Sequence, residues 1–494
     1  MEKNTIFCEK TAIFYNQNQS NFARMKKISN RMKNIFQAVG SLSLGMQGCR
    51  PAACFRRDKK TWLHLPMVIL ACTPIALFAQ TVEQVDEPRL FALLEDNSYS
   101  LRVAKSAEET QKEGSRVARS MRLPDVKAQM TVGYNGNVLM TDRNFTAPKG
   151  FSQPHISNSL VVEAEQTIYT GGALTAGVEL ADTRRQQASN NVDRVRQEQR
   201  FLAMAQLLEL AKTDHALEVY DRNMALTEQL IQDITARREQ GLAIRNDITR
   251  YELQLEKLKL ARRQTEDRRT VVNHDLCSML GMEGIRLTAD STVYTGIMAP
   301  EGALPDWLET ARQQATAIRA AQLGEQEAIA SLKLARSGMR PKVSLFASDS
   351  FSGPYQFDIP PIDNNFNVWQ VGIGVRYELS SLFKQNRRVR QATLQLNESR
   401  DSRLKAAEQV DNSVHEAYVL YTQSYEDLNT KRKSAQLARE NYDVVCNRYL
   451  NGMALITDMT DASNVLLSAE LDETDARVNI AFALYRLRFM AGKI

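Results

Sequence analysis

Three aspartates stand where this chain could concentrate chemistry. Asp458 and Asp461 are three residues apart, one helical turn, which places both carboxylates on one helix face. Asp247 has the same local setting as Asp458, because Gly241-Leu242-Ala243 precedes it as Gly452-Met453-Ala454 precedes Asp458. A glycine followed by an aspartate between two helical stretches is turn chemistry. Gly241 and Gly452 stop one helix with positive φ, and Asp247 and Asp458 stand where the next begins and can cap its amides. Turn geometry and capping account for these residues fully, so a gating or binding role needs a separate reason. Spacing offers no catalytic site. His64, His155, His215, His274 and His415 show no H-x-x-x-H pattern, and no C-x-x-C, Walker motif or nucleophile elbow occurs. Gly171-Gly172 lacks the Gly-Lys-Ser/Thr of a phosphate loop and reads as a bend from strand to helix. No cofactor, metal or enzymatic activity is expected.

The elements that position the aspartates follow from proline and glycine. No proline falls between Pro154 and Pro300 or after Pro361. Glycine is absent from Val178 to Gln240 and from Val375 to Asn451. These are the helix breakers, so each stretch predicts a long helix, one break, and a second helix. Leu217, Tyr220, Met224, Thr227, Ile231 and Ile234 step by threes and fours, as do Ile248, Tyr251, Leu255 and Leu258. Val414, Tyr418, Tyr421, Tyr425 and Leu428 repeat the spacing, followed by Met459, Ala462, Leu466 and Ala469. Such a seam buries one stripe on a neighbouring helix. From Leu174 to Gln240 a helix at ~1.5 Å per residue reaches roughly 100 Å.

Ahead of each hairpin the texture changes. Val126, Ala128, Met130, Val132 and Tyr134 alternate with polar residues or glycine, as do Trp369, Val371, Ile373, Val375 and Tyr377. Less regular partners cover Ser157–Tyr169 and Lys342–Phe351. Strands of this length, apolar on one side and polar on the other, suit a transmembrane barrel, with Tyr134, Tyr169, Trp369 and Tyr377 as interfacial aromatics. A soluble sheet with one wet face is the alternative. The loops 139–156 and 352–366 are rich in proline and glycine and belong on the surface.

The chain has 494 residues, 43% apolar and 24% charged, with a net charge of +5. That is globular composition. The charges are interspersed along helices, which excludes the concentrated basic face of a nucleic-acid binder. Arg56, Arg57, Lys59 and Lys60 precede an apolar run from Trp62 to Ala79, broken by Pro66 and Pro74. This is signal-peptide patterning with cleavage after Ala79. Apolar sequence continues past Cys72, which argues against lipidation there. Residues 1–55 have no periodicity; a start codon placed too early, with Met46 the true start, or an unusual leader accounts for them. Cys277 and Cys446 then remain, roughly 45 Å apart along parallel hairpins, too far for a disulfide.

The two halves repeat. Gly241-Leu242-Ala243 with Asp247-Ile248-Thr249 matches Gly452-Met453-Ala454 with Asp458-Met459-Thr460 at an offset of 211. Arg119-Ser120 with Pro124 matches Arg336-Ser337 with Pro341 at an offset of 217, the extra residues lying in the first strand–strand loop. Each half reads helix, strand, loop, strand, very long helix, turn, helix. The repeats cover residues 80–284 and 305–494, joined by a linker at 285–304, after the leader (1–55) and signal peptide (56–79).

On this duplicated Gly-x-Ala-x-x-x-Asp turn and paired strand order, the chain resembles the TolC-like outer-membrane efflux proteins over essentially residues 85–494. The resemblance implies a mainly α protein with a membrane β-barrel portion. Three chains give four strands each to a twelve-stranded barrel, and their hairpins form a periplasmic tunnel. It implies a passive outer-membrane channel of a tripartite efflux or type I secretion system, embedded in outer-membrane lipid, working with a periplasmic adaptor and an inner-membrane pump. It assigns Asp458, Asp461 and Asp247 to a periplasmic gate, where a carboxylate ring favours cations. It assigns Gly241, Leu242, Ala243, Gly452, Met453 and Ala454 to adaptor docking. Ala454 stands where the type member has a latching arginine, so the closing link is absent or made by Arg245. Alternatives are a periplasmic adaptor, which would carry a single hairpin with lipoyl-like halves, and a structural coiled-coil envelope protein, which leaves the strands unexplained.

Overall fold

Two helical hairpins and a four-stranded sheet dominate the computed structural model, which describes residues 82–282, 284–295, 302–354 and 362–494. The leader and signal-peptide expectations lie outside these residues. In chain order the elements are β1 (Val82–Val85), α1 (Glu87–Asn97), α2 (Tyr99–Ser120), β2 (Asp125–Tyr134), β3 (Val138–Met140), β4 (Lys149–Phe151), β5 (Ile156–Tyr169), α3 (Ala173–Glu239) and α4 (Arg245–Leu280). There follow β6 (Arg286–Ala289), α5 (Thr292–Thr295), α6 (Leu304–Gln314), α7 (Thr316–Ser337), β7 (Lys342–Gly353), β8 (Phe366–Arg376), α8 (Ser381–Leu450) and α9 (Ile456–Met490).

Helices α3 and α8 run 67 and 70 residues, each about 100 Å long at ~1.5 Å per residue. Their length follows from the missing breakers. Their ends follow from Gly241 and Gly452, at φ +74° and +71°. Past each glycine the chain closes the same way: Leu242 N–H donates to the Arg237 carbonyl at 2.9 Å, and Met453 N–H to the Arg448 carbonyl at 2.8 Å. These six-residue bonds satisfy helix-end carbonyls that would otherwise be orphaned. The returning helices α4 and α9 bury the expected stripe, including Ile248, Tyr251 and Leu258 on one and Met459, Ala462 and Leu466 on the other.

The repeat holds in the helices before the sheet. α1 and α6 each span 11 residues, and α2 and α7 each span 22. Leu90 and Leu94 on α1 enter one core, with Leu207, Leu276 and Leu280. Trp307 and Ala311, their counterparts on α6, enter another with Val414, Tyr421 and Leu484. The segment 285–304 contains β6, which pairs in parallel with β1, and the one-turn α5. Arg269, 4% exposed, is held by Asp214 of α3 at 2.5 Å and anchors β6 by donating to the Leu287 carbonyl at 2.8 Å.

The main sheet is antiparallel in the order β2-β5-β7-β8. Its register decides which side chains share a face. Val126 lies opposite Ala164, Ala128 opposite Val162 and Met130 opposite Leu160. Leu160 lies opposite Phe351 and Ala164 opposite Ala347. Leu345 lies opposite Ile373, Ala347 opposite Val371 and Val343 opposite Val375. Since side chains alternate along a strand, these pairs make one continuous apolar face, interrupted by Asp349 beside Val162 and Trp369. The other face carries Lys127, Glu163, Glu165, Ser344, Ser348, Gln370 and Arg376. On it Phe346 covers Gly372, where a Cβ would lie 2.8 Å from the ring.

Candidate functional site

The hairpin tips are built from an apolar layer and an acidic rim. Leu230 and Ile234 of α3, Ile248 and Tyr251 of α4, and Met459 of α9 form a buried cluster, with Tyr442, Cys446 and Tyr449 of α8 packed against it. One cluster thus holds both tips together. Burial, followed by Cys446 and Asp443, pushes Tyr442 up to about 12. Burial, followed by the Asp247 carboxylate, pushes Tyr449 up to about 12. Burial, then Asp233 and Asp443, raises the Cys446 thiol. The layer is therefore neutral at physiological pH. Arg237 of α3 donates through Nη1 to the Leu450 carbonyl at the end of α8, which joins the hairpins at their tips.

Asp247 and Asp458 do not occupy the capping position expected from the sequence. The N-caps are Ile244 and Leu455, and each aspartate is the third residue of its helix. Asp458 still satisfies an amide by reaching back, its Oδ2 accepting from Leu455 N–H at 3.1 Å. Asp458 and Asp461 are both exposed, while Met459 and Ala462 between and beside them are buried. The two carboxylates thus share the outward face of α9. Asp247 is half-buried beside Tyr449. Arg245 is exposed.

Of the expected docking residues, Gly241, Leu242, Gly452 and Met453 are exposed, and Ala243 and Ala454 are half-buried. Leu242 and Met453 are 66% and 64% exposed. Ile244 and Leu455, not foreseen, are 63% and 68% exposed. The signal was present, since Ile244 and Leu455 occupy matching positions of the repeat, each two places beyond the apolar Leu242 or Met453. Cys277 and Cys446 are free and lie in separate clusters. Among the described residues no group of three or more His, Cys, Asp or Glu is placed to hold a metal.

The sheet is the second candidate surface. Val126, Met130, Val132, Val371, Ile373 and Val375 on its apolar face are each at least 60% exposed, and Trp369 is 74% exposed. A contiguous bare apolar surface of this size marks a partner or a membrane. β2, of 10 residues, tilted as barrel strands are, crosses about 25 Å, the height of an outer-membrane apolar band. Edges β2 and β8 pair with no other strand among the described residues. No described helix is long and apolar enough to cross a membrane.

Comparison with known proteins agrees with this architecture. Residues 307–493 match the sequence model of the outer membrane efflux protein family. CusC, from a study of folding and transmembrane channel formation, aligns over 91% of this chain and 99% of its own, with a TM-score of 0.71 at 14% identity. The open-state MtrE outer membrane channel of Neisseria gonorrhoeae aligns over 82% of this chain and 88% of its own, with a TM-score of 0.66 at 17% identity. Protein CyaE of Bordetella pertussis is 25% identical over 193 residues, 38% of this chain and 40% of CyaE. The second repeat thus matches the outer membrane efflux protein family in sequence, and the described chain shares the fold of these solved channels.

Proposed function

We propose that this chain is the outer-membrane channel of a tripartite efflux or type I secretion system, a passive duct for small molecules or proteins. One observation carries the reading: the register gathers the apolar side chains of four strands onto a single bare face. Four strands cannot enclose a pore, and unpaired edges in lipid are not viable. Closure needs further copies, and three supply twelve strands. The chain is exported by the signal peptide at 56–79. Residues 80–284 and 305–494, joined by 285–304, act as the two repeats. The hairpins extend into the periplasm, where Gly241, Leu242, Ala243, Gly452, Met453 and Ala454 meet an adaptor that couples the duct to an inner-membrane pump. The transport energy is the pump's.

Asp458, Asp461 and Asp247 act as the gate. A homotrimer gathers three copies of each at the tip, where a carboxylate ring attracts cations. Two measurements test these claims. Outer-membrane fractions should contain a heat-modifiable trimer; a soluble periplasmic monomer would sink the channel reading. In planar bilayers, Asp458→Ala with Asp461→Ala should change single-channel conductance or relieve block by multivalent cations. Behaviour identical to wild type removes the pair from the gate.

A further inference from the structure

At the foot of the sheet, β5 runs into α3 beside the join of α7 and β7. Gly171, at φ +69°, lets the two connections touch; a Cβ there would lie 2.6 Å from the Ser337 carbonyl. The join encloses a cleft of about 360 Å³ lined by Gly172, Thr175, Glu179, Lys333, Arg336 and Arg340. Lys333 is engaged by Glu179 at 2.7 Å. Arg340 donates to the Gly171 carbonyl at 3.3 Å, which fixes its stem without neutralising it. Arg336 has no ion pair with any described residue. The start of α3 adds its positive end; its N-cap, Gly172, brings no side chain, and of the first amides Leu174 N–H is taken by Thr170 Oγ1 at 3.1 Å.

The repeat shows that Arg336 has lost a partner. Its counterpart Arg119 donates to both oxygens of Asp182, at 2.9 and 3.0 Å, and Ser115 donates to the same carboxylate at 2.5 Å. In the second half, Thr393 takes the place of Asp182. Leu332 takes the place of Ser115 and packs with Ala392 and Leu396. The guanidinium is kept and its carboxylate is gone. The cleft therefore holds three cations against one carboxylate that is already paired.

We propose that this cleft binds a phosphate group, with Arg336 and Arg340 as its principal ligands. Guanidinium pairs suit phosphate oxygens in geometry and charge. The cleft lies between the inner strands β5 and β7, so copies joining at β2 and β8 leave it uncovered. It also sits where the apolar face ends, at Tyr169 opposite Val343. If the sheet spans the membrane as proposed above, on which this placement rests, that is headgroup level, and a phospholipid supplies the phosphate.

The test uses full-length protein in a phosphate-free glycoside detergent. Melting is followed against short-chain phosphatidylglycerol, inorganic phosphate and phosphate-free diacylglycerol. Phosphatidylglycerol should raise Tm saturably, with apparent affinity weakened roughly tenfold or more by Arg336→Gln, the expected effect of losing a charge-assisted contact. The shift should vanish in Arg336→Gln with Arg340→Gln and persist in Arg119→Gln. A matching response to inorganic phosphate would uphold the phosphate site and overturn the lipid source. A matching response to diacylglycerol, no response in wild type, or an undiminished one in the double variant would overturn the site. Bilayer conductance of the same preparations reports the channel reading separately: absent conductance with an intact shift counts against the channel, and intact conductance without a shift counts against the site.

Discussion

Ile244 and Leu455 occupy N-cap positions with extended backbone, at φ −104° and −84°, where Ser, Thr, Asp or Asn is normally found. An apolar side chain there leaves a helix amide without its usual acceptor and is itself left bare. Such a choice is intelligible if both side chains are covered by a partner. Ile244→Ser with Leu455→Ser should therefore raise stability in the isolated protein, by up to about 1 kcal/mol per cap, while weakening capture of the adaptor. Unfolding in denaturant and adaptor pull-down measure the two effects. Undiminished capture would remove these residues from the docking surface. The sequence pointed to the right turn but placed the cap on the aspartates, because a carboxylate just inside a helix start and one at the N-cap look alike without backbone angles. Asp458 serves Leu455 N–H from the third position instead.

At the scale of elements, glycines at breaks differ in what surrounds them. Gly452 has positive φ and open space about its Cα, whereas Gly171 has positive φ and a backbone carbonyl in the way. Gly452→Ala should cost only left-handed strain, on the order of 1–2 kcal/mol. Gly171→Ala must in addition push α7 away from the start of α3, so its loss of Tm should be clearly the larger. Equal losses would mean that the close approach between the two joins contributes nothing. The long elements were legible because their signals are long: absence of breakers over some sixty residues, and alternation over ten. The short ones were not. β1 and β6 are four residues each and pair across two hundred positions of chain, and β3 and β4 are three each. Runs that short have too little alternation to stand out from a loop, so the linker and the first strand–strand loop hold structure that composition hides.

Across the whole molecule, duplication implies contacts that one chain cannot make. Asp221 of α3 pairs with Arg262 of α4 at 2.5 Å, and the matching positions in the second hairpin carry the opposite charges, Arg432 of α8 with Glu473 of α9. Within the chain, Arg237 of the first hairpin donates to the Leu450 carbonyl of the second. Their repeat counterparts are Arg448 and Glu239. If three chains alternate hairpins around a tunnel, Arg448 of one protomer faces the Glu239 carbonyl of the next, and six such links close the tip. Arg448 is exposed in the single chain, as this requires. In a Cys446→Ser background, Glu239→Cys with Arg448→Cys should cross-link between protomers when treated with a bifunctional thiol reagent of about the length of an arginine side chain. Arg237→Cys with Leu450→Cys should cross-link only within a chain. The first pair then gives a covalent trimer on a denaturing gel and the second a monomer. A monomer from both pairs would break the alternation, and with it the inference from one chain's clasp to a closed ring.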